Sequence, residues 1–226
     1  MKTRPIRDNA LSLLFLGLFV LSVVFQAVAG HALNNEELIR HELAPIPFWE
    51  YVASSEFMVD LAENWQSEFL QFFVFILATV WLVQRGSPES KKPGDEGTGS
   101  DEEQLIGEHS REDSPAWARV RGVRLWLYAN SLLLVMGAAF LLSWFAQSLA
   151  GWVVATEEAA QHGELAPSWL IYVTGPEFWS RTLQNWQSEF LAVGCMVAFS
   201  IYLRQRGSAE SKPVGAPNGT SALESE

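Results

Sequence analysis

The run Asn64-Trp65-Gln66-Ser67-Glu68-Phe69-Leu70 returns unchanged at Asn185-Trp186-Gln187-Ser188-Glu189-Phe190-Leu191, each time at the mouth of an apolar stretch. The same offset of 121 residues aligns Asn9 with Asn130, Ser22 with Ser143, Gln26 with Gln147, Ala29-Gly30 with Ala150-Gly151 and Glu37 with Glu158. It also aligns His41 with His162, Tyr51 with Tyr172, Glu56-Phe57 with Glu177-Phe178, and Gln84-Arg85-Gly86-Ser87 with Gln205-Arg206-Gly207-Ser208. A gapless match over about 90 residues is a duplication. One half of the chain therefore has to fold much as the other does, and each half carries a glutamate at an equivalent place.

The apolar runs are residues 10–29, 69–83, 125–150 and 190–203. Crossing a hydrocarbon core of roughly 30 Å takes about 20 helical residues, so the first and third runs suffice alone. The second and fourth are short. Counting about 20 residues back from Val83 brings the start of a span to Asn64, and the same count from Leu203 reaches Asn185. The expected fold class is all-α: a four-span transmembrane helical bundle made of two tandem repeats of two spans each.

Basic side chains flank these runs unevenly. Lys2, Arg4 and Arg7 precede the first, and Arg85, Lys91 and Lys92 follow the second. Arg119, Arg121 and Arg124 precede the third, while Arg204, Arg206 and Lys212 follow the fourth. Between runs one and two stands only Arg40, and between three and four only Arg181. By the positive-inside rule both termini and the central linker are expected in the cytoplasm. Both repeats then enter the membrane in the same direction, which makes them the parallel type related by an axis along the membrane normal. A secretory signal peptide is the rival reading of the first run, with Ala27-Val28-Ala29 as its cleavage site. Against it stands the internal copy of the same element, residues 130–151.

The expected domains are a first two-span repeat at residues 1–93, an acidic disordered cytoplasmic linker at 94–118, a second repeat at 119–214 and a disordered tail at 215–226. The net charge of −11 sits mainly in linker and tail, which have too little apolar surface to form a core. Such a balance argues against nucleic acid as a partner. Lipid is the expected partner, together with a protein partner or a homo-oligomer. A single cysteine, Cys195, rules out a disulfide framework.

Each segment between two spans offers a short acidic helix. Asn34 or Asn35 is the expected cap ahead of Glu36 and Glu37, with Pro45 and Pro47 as the stop; Thr156 is the cap ahead of Glu157 and Glu158, with Pro167 as the stop. Phe48, Trp49, Tyr51 and Phe57, with Trp169, Tyr172, Phe178 and Trp179, are expected as an aromatic belt at the outer interface. Gly17, Ser22, Ala138, Ser143, Gly194 and Ala198 are the small residues expected at helix contacts.

The chemistry centres on Glu68 and Glu189. Helical spacing projects Asn64 with Glu68, and Asn185 with Glu189, in one direction. Gln26 and Gln147 fall at a similar depth on the partner spans, with Ser22 and Ser143 one turn further in. These eight residues form the candidate polar site. Ionisable groups in a span mark a pathway or an internal pair, or serve as polar glue between helices. Glu37 with His41, and Glu158 with His162, make an i,i+4 pair in each copy, too few ligands for a metal. Neither a metal nor another cofactor is expected. Gly86 and Gly207 read as left-handed helix stops, with the preceding arginines favouring the dipole.

The heptapeptide, together with Gln-Arg-Gly-Ser-x-Glu-Ser-Lys after the helix, resembles a family of uncharacterised bacterial membrane proteins designated a domain of unknown function. The resemblance covers both repeats and implies a bacterial inner-membrane location without a known activity. No nucleophile elbow or His-Glu-x-x-His is present, so an enzyme is not expected. A structural or partner-binding membrane protein leads. The alternative is a small proton- or cation-coupled transporter or channel using Glu68 and Glu189.

Overall fold

The computed structural model describes residues 5–221; Lys2 and Arg4 of the first basic flank and residues 222–226 of the expected tail lie outside them. Among the described residues there are eight α-helices, two short 3-10 turns and no strand. The helices are α1 (Pro5–Asp8), α2 (Ala10–Arg40), α3 (Phe48–Val52), α4 (Ser55–Trp81), α5 (Val123–Ala129), α6 (Ser131–Gln161), α7 (Trp169–Thr174) and α8 (Pro176–Tyr202). Helices α2 and α6 have 31 residues each, α4 and α8 27 each, and both pairs start at the 121-residue offset.

Among the described residues two helices, α2 and α6, are long and apolar enough to cross a membrane. At about 1.5 Å per residue each is roughly 46 Å long, about ten residues more than a hydrocarbon core requires. The excess is the acidic stretch expected to be a separate helix. Asn35 does not cap anything: it lies inside α2, and its side chain pairs with the backbone of Ile46, Oδ1 accepting from N–H at 2.8 Å and Nδ2 donating to the carbonyl at 3.1 Å. Thr156 likewise lies inside α6. The only breakers in α2 are Gly17 and Gly30, and an isolated glycine costs a helix only about 1 kcal/mol. Gly30 serves contact instead, since a Cβ there would come within 2.2 Å of the Tyr51 hydroxyl oxygen.

Helix α4 likewise starts well before Asn64. Ser54 caps it, its hydroxyl accepting from Phe57 N–H at 3.3 Å. At the matching place in α8, Pro176 occupies the first turn after Gly175. The heptapeptide therefore sits in the middle of each helix rather than at its mouth.

The chain forms two compact units: Met1–Leu61 with Gln147–Trp169, and Ala62–Ala146 with Leu170–Glu226. In the first, Ala27, Tyr51, Phe57 and Leu61 make a core against which Val23, Ile46, Phe48 and Val52 pack. His31 Nε2 lies 2.8 Å from the Ile46 carbonyl oxygen. At the positions 121 residues on, Trp152 Nε1–H donates to the Pro167 carbonyl at 2.8 Å. Tyr51 and Phe57 are thus core rather than part of an aromatic belt, and Trp49 of that group stays exposed. The rings turn inward because the short helix α3 folds back against α2.

In the second unit Trp144 of α6 stacks on Phe140 and meets Phe178, Trp179 and Trp186 of α8, with ring centroids 5.5 to 6.0 Å away. Tyr172 and Phe178 are buried there too, which removes them from a lipid-facing belt. Among the small residues, Gly137 marks the close approach, where a Cβ would stand 3.0 Å from Phe73. Gly17 and Gly194 face open space, and Ser22, Ala138 and Ala198 are exposed. Large aromatic and polar side chains carry these helix contacts in place of the expected small ones.

Past the ends of α4 and α8 the chain makes the same turn twice. Ser87 N–H donates to Gln84 O at 3.1 Å and Ser208 N–H to Gln205 O at 3.2 Å, with Gly86 at φ 88° and Gly207 at φ 84°. A positive φ at the third position is what a type II turn requires. These glycines hold an exit turn several residues beyond the helix, which corrects their reading as helix stops. Gln84 N–H and Gln205 N–H are then met by the hydroxyls of Ser90 and Ser211 at 2.7 and 2.9 Å.

The linker carries the 3-10 turns Gly107–His109 and Ala116–Arg119. Arg119 donates there to the carbonyls of Arg111 and Glu112.

Candidate functional site

On α4 a helical period places Glu63, Gln66, Ser67 and Leu70 on one face. Gln66, Ser67 and Leu70 are buried, while Asn64 and Glu68 are exposed. The same letters on α8 take the opposite roles: Gln187 and Ser188 are exposed, and Asn185, Trp186 and Glu189 are half-buried. Identical heptapeptides thus meet through different faces.

Their contact is polar throughout. Trp186 Nε1–H donates to Gln66 Oε1 at 2.8 Å, and Gln66 Nε2 donates within its own helix to Glu63 O at 3.1 Å. Glu63 accepts from Asn185 Nδ2 at 3.0 Å and forms an ion pair with Arg181 Nε at 3.6 Å. The Glu63 side chain keeps only 13% of its surface exposed, against 38% for Arg181. Ser67 donates to the Asn64 carbonyl at 2.9 Å and lies 3.5 Å from Glu189 Oε1. Because one hydroxyl has one proton, the shorter contact within the helix is the stronger.

Of the eight sequence candidates, Asn185 and Glu189 enter this network and Glu68 and Asn64 flank it on the exposed side of α4. Ser22 and Gln26 of α2, with the buried Gln147 of α6, belong to the other compact unit, and Ser143 is half-buried on α6. Glu63, Arg181 and Trp186 are participants that the sequence reading did not single out. A signal for one of them existed: Arg181 stands four residues before Asn185 and eight before Glu189, on one face of a helix. Among the described residues no three metal-ligating side chains gather, and His162 Nδ1 approaches the Glu158 carbonyl at 2.9 Å rather than its carboxylate.

A second acidic feature lies past the helix ends. Glu89 and Glu210, at the same place in the two exit turns, line one cleft of about 500 Å³ with Gln71, Phe72, Phe75 and Met196. Burial first and then the Glu210 charge push the Glu89 carboxyl above its ordinary range. A group whose folded pKa is raised contributes stability that is complete below its unfolded pKa and is lost as pH rises through the folded value. The unfolding midpoint is therefore expected to fall as pH climbs from the ordinary glutamate range through that raised value. In Glu89→Gln this slope should flatten, as thermal scans across the acidic-to-neutral range would read; an unchanged slope would remove the pair as its source.

The arrangement offers interhelical hydrogen bonds, one partly buried ion pair and a neighbouring pair of carboxyl groups. No curated protein and no solved structure matches the chain. The pattern of one family extends over residues 2–222, so the chain belongs to that family, described as a domain of unknown function, DUF6766.

Proposed function

We propose that this is a multi-pass protein of the bacterial inner membrane, built from two tandem repeats of two spans, whose role is structural or partner-binding rather than catalytic. Helices α2 and α6 supply one span of each repeat and α4 and α8 the other, entered in the same direction. Three features support the duplication: helix pairs of equal length at one offset, the ring nitrogens of His31 and Trp152 at the carbonyls of Ile46 and Pro167, and the paired exit turns. The basic flanks support a cytoplasmic side for the termini and linker. Alkaline phosphatase fused after Glu42 is expected to be active and a fusion after Gly97 inactive. Activity at both points would undo the topology.

The observation that carries the structural role is the buried Gln66 amide held by Trp186. An amide consumed by a neighbouring helix acts as polar glue, and its bond to Trp186 keeps Gln66 from serving an ion. The liposome-reconstituted protein is expected to pass neither protons nor monovalent cations above the rate of empty vesicles. Gradient-driven flux that disappears in a folded Glu68→Gln, Glu189→Gln double variant would replace this reading with transport through those glutamates.

A further inference from the structure

The two exit turns have one internal geometry and different surroundings. Each ends in a lysine that reaches forward to a carbonyl six residues on, Lys91 to Gly97 O and Lys212 to Asn218 O. In each, a glutamate N–H donates to the serine after the glycine, Glu89 to Ser87 and Glu210 to Ser208.

The turns nevertheless meet head to tail. The lysine side of the second turn docks on the glycine side of the first: Lys212 Nζ donates to Gly86 O, Gly86 N–H donates to Ser221 Oγ at 3.2 Å, and Asn218 O covers Gly86. Ser221 and Lys212 are consequently buried. The reciprocal contact is missing. Gly207 faces open space beside a groove of about 700 Å³ that Arg206, Ser208 and Val214 line. Ser100, which stands where Ser221 does at the 121-residue offset, is exposed and bonds its near neighbours Glu103 and Gln104.

A head-to-tail contact leaves two unsatisfied complementary ends, and identical subunits close such ends on one another. We propose that the groove at Arg206 and Gly207 receives the Lys91–Ser100 side of a second copy of this chain, so that the contact seen within one chain is repeated between chains. Charge agrees with that occupant. Asp95, Glu96, Asp101, Glu102 and Glu103 flank Ser100 in the sequence and outnumber Lys91 and Lys92, and Arg206 lines the receiving groove. Copies that share one membrane orientation would close as a ring about the membrane normal.

The inference rests on the duplication and on linker and tail sharing one side of the membrane, a topology that the phosphatase fusions read separately. The test uses full-length chains lacking Cys195, one carrying Ser100→Cys and another, differently tagged, Ala209→Cys, co-expressed and oxidised in native membranes. A mixed disulfide between the two tags is expected, with little pairing of like variants, and its yield should fall about tenfold when Arg206→Glu turns attraction into repulsion. Absence of the mixed disulfide from correctly inserted variants overturns the proposal. So does a disulfide confined to a single chain when both cysteines are placed in it, which would mean that the linker closes on its own groove. Mass in detergent is the independent check: the native chain should exceed a monomer, and a monomer at every concentration would contradict the ring.

Discussion

Gly86→Ala is expected to destabilise the protein by about 3 kcal/mol and Gly207→Ala by only about 1 kcal/mol, although the two glycines occupy the same turn. Both have φ near 85°, with 88° at Gly86 and 84° at Gly207, and a left-handed alanine costs roughly 1–2 kcal/mol wherever it sits. The rest of the difference is space. A Cβ on Gly86 would come within 2.2 Å of the Asn218 carbonyl oxygen, a backbone atom held by Lys212. A Cβ on Gly207 would meet nothing within 4 Å. Relief at Gly86 requires residues 218–221 to lift away, with loss of the Ser221 bond to Gly86 N–H. Chemical or thermal unfolding of the two variants side by side measures the gap. Equal losses would mean that backbone strain alone matters and that the tail does not press on the first turn.

That contrast shows what the sequence could disclose. Repetition made the helix pairs legible, because the offset that aligns Asn9 with Asn130 also fixes equal lengths for α2 and α6. Apolar run length predicted where helices stand but not where they stop. The acidic residues after Gly30 continue α2, since no proline interrupts it and Asn35 spends its side chain on Ile46 rather than on a helix end. The face each heptapeptide buries was not legible at all. Seven identical letters cannot say which copy turns Gln inward; the neighbours decide that. Where the first repeat has Val23 and Met58, the second has Trp144 and Trp179, and those rings build the aromatic cluster beside Trp186. Glu63 and Arg181 escaped notice for a related reason: they belong to the contact between copies, and periodicity within one copy does not report which helix lies opposite.

The same asymmetry sets up the second large effect. Gln66→Leu should cost about 1–3 kcal/mol, because it strips the acceptor from the Trp186 indole and leaves that N–H without its partner. Leucine fills similar space and suits an apolar site, so the loss measures hydrogen bonding rather than a cavity. Gln187→Leu, at the same place in the repeated motif, should stay within roughly 0.5 kcal/mol, as exposed substitutions usually do. Adding Trp186→Phe to each variant closes a double-mutant cycle, with a coupling near 1 kcal/mol expected for Gln66 and none for Gln187. Neutral behaviour of Gln66→Leu in that cycle would mean that the Gln66–Trp186 bond contributes no net stability. The Gln66 amide would then lose its role as glue, and Glu63, with Arg181 and Asn185, would have to carry more of the contact. An exposed ion pair is a weak tie, worth about 0–1 kcal/mol. Arg181 keeps 38% of its side-chain surface open, so the buried amide is the stronger claimant for holding the two helices together.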